Sequence, residues 1–296
     1  MKRLGGAALA LLLANCAAPS PQPAQPDIAA MPARTPLEAR PPIAIGLQGR
    51  AEQGGLVAGT VPTRPISLTL DGQPVAVAAD GLFIVAWGRD APAKSVLTAR
   101  FADGRTETLN ISVAPLSWAT QTIGGVRRRP LPDAEFERVR AVEIAEMIAA
   151  RQRSVESDGW RQRFSWPVTG RVSGVFGSQR IYARGERDGF HNGVDIARPS
   201  GTPVVAPADG VVILATTRPY TLEGFMVILD HGHALSSTFL HLSRIDVETG
   251  ARVRQGQPIG AIGTTGRSSG PHLHWGLRWG DARIDPARAA GPMPPG

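Results

Sequence analysis

All six histidines of this 296-residue chain fall after residue 190: His191, His231, His233, His241, His272 and His274. Imidazole is the commonest neutral metal ligand and the usual general base near neutral pH, so its confinement to one segment points to a single site there. Two spacings sharpen that expectation. In His191-Asn192-Gly193-Val194-Asp195 an imidazole and a carboxylate stand four residues apart, and they share a face if Val194 and Ile196 belong to a strand. In His272-Leu273-His274 two imidazoles share a face while Leu273 turns to the core. A catalytic zinc ion takes three protein ligands and leaves a fourth position for water. The segment's constellation comprises four histidines and one aspartate; two histidines and the aspartate meet that count and leave two histidines for proton transfer.

Other combinations carry less. His231-Gly232-His233 has the same spacing, but it follows Asp230 in what reads as a tight glycine-containing turn and is assigned a structural role. No His-Glu-x-x-His is present, so the base is expected to be histidine rather than glutamate. The run from Thr264 to Gly270 is rich in glycine and hydroxyls, yet no Gly-Lys-Ser/Thr follows. It reads as a groove-lining loop leading to His272, not a phosphate loop.

The elements that must position these residues are strands. From residue 166 to 286, Gly and Pro bound short apolar runs at 171–177, 203–207, 210–214, 226–229 and 258–263, with no helical period of convincing length. A compact antiparallel β domain follows. Upstream, at 43–115, runs with strand alternation are separated by Asp71-Gly72, Asp80-Gly81 and Asp103-Gly104, which predicts a small β-sandwich-like domain serving as spacer or docking module. A connector at 116–165 holds one expected helix at 132–155. Asp133 is its candidate N-cap, and Phe136, Val139, Ile144, Met147 and Ile148 form an apolar stripe that Arg140 and Glu143 interrupt. That pattern suggests a helix lying across a surface, as a connector or as an element controlling access to the downstream site or recruiting a regulatory protein partner. The fold class is therefore mostly β, and residues 287–296 read as a flexible tail.

Residues 1–16 look like an export signal: Lys2 and Arg3 precede an apolar run from Leu4 to Ala14 that is too short to span a bilayer. Leu12-Leu13-Ala14-Asn15-Cys16 resembles a bacterial lipobox, with Asn15 where Gly, Ala or Ser is usual; lipidation at Cys16 would attach the chain to a membrane. The Pro- and Ala-rich stretch 17–42 cannot bury enough surface to fold and reads as a tether. With Cys16 the only cysteine, no intramolecular disulfide can form.

Composition bounds the remainder. A hydrophobic fraction of 42% and a mean hydropathy of −0.08 exclude a polytopic membrane protein and a wholly disordered one. The net charge of +7 and the Arg127-Arg128-Arg129 run raise nucleic acid as a partner. Export argues against it. Lysine occurs only at Lys2 and Lys94, so arginine is a compositional habit of the chain and not a patch. A basic surface favours approach to anionic wall or lipid.

Six motifs then occur in order: Phe190-His191-Asn192-Gly193-Val194-Asp195-Ile196-Ala197, Gly201-Thr202-Pro203-Val204, Ala208-Asp209-Gly210, Phe239-Leu240-His241-Leu242, Val253-Arg254-Gln255-Gly256-Gln257, and Gly270-Pro271-His272-Leu273-His274-Trp275. In them residues 166–286 resemble the lysostaphin and LytM type (duplicated hybrid motif) zinc metallopeptidases, which cut peptide bonds in bacterial peptidoglycan. The resemblance implies a single zinc ion held by His191, Asp195 and His274, with His241 and His272 as catalytic proton carriers flanking the attacking water. It implies peptidoglycan stem peptides and cross-links as substrate and an exported, periplasmic location, outer-membrane anchored if Cys16 is lipidated. Phe239 stands where the family commonly has tyrosine. The alternative is a non-catalytic member of the fold that activates another wall hydrolase; such members usually lack metal ligands, and this chain retains the full set. Which peptidoglycan bond is cut, and which of the two histidines is the base, stay open at this level.

Overall fold

The structure, a computed structural model, describes residues 44–124, 131–153, 155–182 and 187–295. The export signal, Cys16, the tether and the Arg127-Arg128-Arg129 run lie outside them. Among the described residues no helix is long and apolar enough to cross a membrane.

Strands β1 (Gly46–Gln48), β2 (Leu56–Thr60), β3 (Ser67–Leu70), β4 (Gln73–Pro74), β5 (Leu82–Ala86), β6 (Lys94–Arg100) and β7 (Thr106–Ser112) make two antiparallel sheets, ordered β1-β2-β5 and β4-β3-β6-β7. Period-2 alternation does the sorting. In β6, Ser95, Leu97 and Ala99 are buried between exposed Lys94, Val96 and Arg100. One core joins Val57, Phe83 and Val85 of the first sheet to Leu68, Leu97 and Ile111 of the second. Asp71 and Gly72 both take positive φ, 49° and 83°, and turn β3 into β4 with the type I′ geometry that suits strand twist. Strands β1 and β2 were not legible in sequence. Within β2, Gly59 lies against a large ring: a Cβ there would collide with Phe83.

The connector contributes β8 (Thr120–Ile123) and α1 (Asp133–Arg151). The helix is shorter than the 132–155 expected, and Pro132, not Asp133, occupies the cap position; Asp133 is the first helical residue. The side it buries also differs from the apolar stripe. Phe136, Glu143, Met147 and Ala150 face inward, while Val142, Ile144 and Ile148 are 42–52% exposed. Arg140 and Glu143, which interrupt the stripe in sequence, are the residues that dock the helix. The Arg140 guanidinium grips Glu223 through two hydrogen bonds of 2.6 Å and also reaches Glu143 at 3.0 Å. Glu143 in turn accepts from the backbone N–H and the hydroxyl of Thr221, at 2.6 and 2.8 Å. Met147 completes a small apolar cluster with Ile213, Tyr220, Met226 and Ile228.

The remaining strands are β9 (Arg171–Gly174), β10 (Gln179–Tyr182), β11 (Arg187–Phe190), β12 (Val194–Ala197), β13 (Pro203–Val205), β14 (Gly210–Ala215), β15 (Phe225–Gly232), β16 (Leu235–Ile245), β17 (Arg252–Val253), β18 (Pro258–Ile262), β19 (His272–Trp279) and β20 (Ala282–Ile284). Their main sheet runs β17-β14-β15-β16-β19-β12-β9, with β18 against β16 and β13, and β20 against β19. Near-continuous apolar runs such as Met226 to Leu229 are fully buried. Strand β10 pairs antiparallel with β11 and parallel with β8, so the connector edges the region that carries His191.

From Pro42 onward the chain forms one compact unit, and its apolar core runs without a break from Phe83 and Leu97 to Leu273 and Trp275. Arg89 Nε donates to the Gly177 carbonyl at 2.6 Å, and Arg161 pairs with Asp80 at 2.7 Å. The expectation of a flexible tail from 287 is corrected. A short helix α2 (Pro286–Ala290) is capped by Asp285, whose carboxylate accepts the Ala287 N–H, and Trp166 Nε1–H donates to the Gly291 carbonyl at 2.9 Å.

Candidate metal centre

Strand register assembles the site. β12 and β19 run antiparallel with Asp195 opposite His274 and Ala197 opposite His272, so Asp195 and His274 meet across the ladder and His272 follows two residues along the same face. His191 arrives differently. The shared-strand-face reading is corrected, because His191 sits in the loop between β11 and β12. Backbone hydrogen bonds fix it: its N–H donates to Ser178 O, and its carbonyl accepts from Gly177 N–H, each at 2.8 Å.

These three side chains converge. His191 Nε2 lies 3.0 Å from both Asp195 Oδ1 and His274 Nδ1, and His274 Nδ1 lies 2.8 Å from Asp195 Oδ1. All three residues are buried, and they are the one group of this kind found among the described residues. His272 Nε2 stands 3.7 Å from Asp195 Oδ1, and the His272 and His241 rings are 4.9 Å apart.

His241 reaches the site through an irregularity. It takes φ +64° on β16, where the pairing with β15 and β18 shifts register, and its N–H leaves the ladder to bond Glu223 O at 2.9 Å. A bulge with a non-glycine residue in the left-handed region re-aims a side chain at some cost in strain, a device concentrated at functional sites.

Hydrogen bonds to carbonyls settle the tautomers. A carbonyl only accepts, so His191 Nδ1 donates to Val175 O (3.0 Å), His241 Nδ1 to Thr265 O (2.9 Å) and His272 Nδ1 to Gly270 O (2.8 Å). In each neutral ring Nε2 then carries the lone pair. The loop from Thr264 to Gly270 thus does more than line a groove: its carbonyls orient both outer histidines.

The charge states agree. Burial, reinforced by the neighbouring imidazoles, lowers His241 to about 3, and burial lowers His274 to about 4 against the pull of Asp195. Burial would raise Asp195, but its close contacts with His191 and His274 outweigh that and hold its carboxyl well below the ordinary range. Neutral imidazoles and an ionised carboxylate around one point are the form in which such groups bind a divalent cation. Bare Nε2 of His191 against Asp195 Oδ1 is a lone pair facing an acceptor, a contact that a cation between them relieves. The donor set therefore fits zinc.

Sequence reasoning missed Arg180. Its Nη2 binds Asp195 Oδ2 at 3.0 Å and so orients the carboxylate whose other oxygen meets the histidines. Nothing in Gly177-Ser178-Gln179-Arg180 marks it; only the fold of β10 beside β12 brings it there.

Gly193 shows how tightly the centre is packed. A Cβ there would collide with the Trp275 carbonyl and stand 2.8 Å from His274 Nε2. Gly193→Ala is expected to cost about 1–3 kcal/mol in chemical denaturation and to weaken metal binding in titration, because backbone on one side and a donor residue on the other must shift.

His231 and His233 stay out of the centre. His231 Nδ1–H donates to Asp209 O (2.7 Å), its Nε2 accepts from Ser237 Oγ (2.8 Å), and burial lowers it to about 4. His233 stacks on Trp160 with ring centroids 3.8 Å apart; it and Ala234, at φ 51° and 62°, make the two-residue turn from β15 to β16. Phe239 is fully buried opposite Trp275, a packing position.

Comparison with known proteins places these residues in context. Residues 189–286 match the model of peptidase family M23. The chain is 42% identical over 116 residues to the peptidoglycan DD-endopeptidase ShyA of Vibrio cholerae, covering 39% of this chain and 26% of that protein. It is 39% identical over 105 residues to the DD-carboxypeptidase/endopeptidase Mpg of Neisseria meningitidis, covering 36% and 24%. The chain thus spans about a quarter of the length of these relatives. A crystal structure of a chain assigned to peptidase M23 from Pseudomonas aeruginosa is similar at a TM-score of 0.61 and 31% identity, covering 81% of this chain and 94% of that one.

Proposed function

The chain belongs to peptidase family M23, and from that premise we propose that it is a zinc-dependent endopeptidase of bacterial peptidoglycan, cutting the D,D cross-links between stem peptides. The observation that carries the reading is the convergence of two imidazoles and a carboxylate beside two further imidazoles whose Nε2 lone pairs are free for protons. The names of the relatives support the substrate and the bond type.

His191, Asp195 and His274 would hold the ion. Zinc, when bound, polarises the scissile carbonyl and makes water nucleophilic at neutral pH. Around it this chain's residues orient and move protons. Thr265 O and Gly270 O fix His241 and His272 so that Nε2 of each can take a proton from the attacking water and return it to the departing amine. Arg180 keeps the Asp195 carboxylate turned. Retention of all five residues favours catalysis over a purely activating role.

We place the protein outside the cytoplasm, in the periplasm, with the export signal delivering it and a lipid at Cys16 anchoring it at the outer membrane. The test is digestion of purified cross-linked peptidoglycan by the metal-loaded chain, with muropeptides identified by mass. Cross-linked dimers should disappear and free stem peptides accumulate, in protein holding a single zinc ion per chain by elemental analysis. Zinc-loaded protein that leaves the dimers intact would transfer the assignment to an activator.

A further inference from the structure

A cavity of about 360 Å³ lies between the sheet and α1 and reaches the metal centre at His274, which lines it together with Asn192, Arg140, Arg151, Arg278 and Arg283. Its charge does not balance. The one carboxylate in that lining, Glu223, is held by both arms of Arg140. Arg278 is engaged by Asp281 and by the Gly280 carbonyl. Among the described residues Arg151 and Arg283 have no carboxylate partner, and Arg151 Nε is buried without a hydrogen-bond partner. Burial and the neighbouring Arg278 and Arg283 push Arg151 down to about 10, and burial with Arg278 lowers Arg283 too. Like charges gathered in a half-buried cavity without counter-charge are costly unless an anion completes them. Guanidinium forks match a carboxylate in two-point geometry.

We propose that Arg151 and Arg283 form a subsite that holds a carboxylate of the peptide being cut. The inference rests on the endopeptidase reading and deepens it: the peptide recognised is acidic, and its carboxylate lies in the same groove as the metal centre. It also gives α1 a task other than closing the site. The helix forms one wall of the groove, supplying Arg151 and the exposed Ile144 and Ile148 as contact surface for the peptide.

The test uses the full chain carrying His272→Ala, metal-loaded, so that binding is read without turnover. Two cross-linked stem peptides, identical except that one carries carboxylates where the other carries carboxamides, are titrated by calorimetry, with inorganic phosphate as a third probe. The acidic peptide should bind at least about tenfold tighter, the scale of one charge-assisted hydrogen bond. Adding Arg283→Gln should reduce that ratio to below about twofold, with a melting temperature equal to or above that of the parent, since a like-charge contact is relieved. Equal binding of the two peptides, a ratio that survives Arg283→Gln, or phosphate binding as tightly as the acidic peptide would each overturn the subsite. The wild-type chain separates the two readings: preference for the acidic peptide without hydrolysis of either removes the endopeptidase assignment and leaves the subsite standing.

Discussion

Replacing His274 with alanine is expected to abolish metal retention and, with it, peptide hydrolysis. The residue is enclosed within the contact triangle it forms with His191 and Asp195, and its ring is kept neutral by burial. A two-ligand remnant cannot hold zinc against buffer, so metal content should fall from about one to below about 0.1 per chain, with kcat/KM down by at least about 10³. The ladder between β12 and β19 is made by backbone and does not need the imidazole. Circular dichroism should therefore stay unchanged, and the melting temperature should match that of metal-stripped wild type. Retention of stoichiometric zinc by this variant would show that the ion sits elsewhere and would remove the basis of the proposed activity.

Replacing His272 has the opposite split. Its Nδ1 is committed to Gly270 O, and its Nε2 faces Asp195 from 3.7 Å, outside the tight triangle. His272→Ala should keep its zinc and lose about 10²–10⁴ in kcat, the range for removing a positioned acid or base. His241 needs a gentler variant, because its φ of +64° penalises alanine; asparagine tolerates that conformation. His241→Asn should likewise keep the metal while kcat falls. The residue whose loss removes the limb of the pH–rate profile in which a base is titrated is the base, and the other is the positioning or acid partner. A His272→Ala protein that lost its zinc would instead make His272 a ligand.

Much of the fold was legible because the signals are local. Asp71-Gly72 lies between alternating runs and closes a hairpin with both residues at positive φ, and β6 alternates through seven residues. Where the signal is not local, reading failed for a physical reason. In β2 a glycine, Gly59, stands where a side chain would be expected because it accommodates Phe83 from another strand. Arg140 and Glu143 look like breaks in an apolar stripe because hydropathy alone treats charge as solvent-facing, yet Glu223 and Thr221, some eighty residues away, pair them inside. The composition of residues 287–296 reads as a flexible tail, yet Asp285 caps its short helix and Trp166 binds the Gly291 carbonyl.

At the centre the division is the same. Residue type and spacing singled out His191, Asp195, His272 and His274, because metal chemistry demands those groups in close sequence pairs; His241 joined them through the resemblance to the LytM-type peptidases. Only tertiary structure decided how they are aimed. It put His191 in a loop fixed by Ser178 and Gly177, turned His241 inward through a strained bulge, set three tautomers through the carbonyls of Val175, Thr265 and Gly270, and brought Arg180 to Asp195. Except for Gly270 beside His272, those contacts join residues well separated along the chain. Apart from the Arg180–Asp195 ion pair, they end on backbone atoms that every residue type possesses, so composition and spacing carry no trace of them.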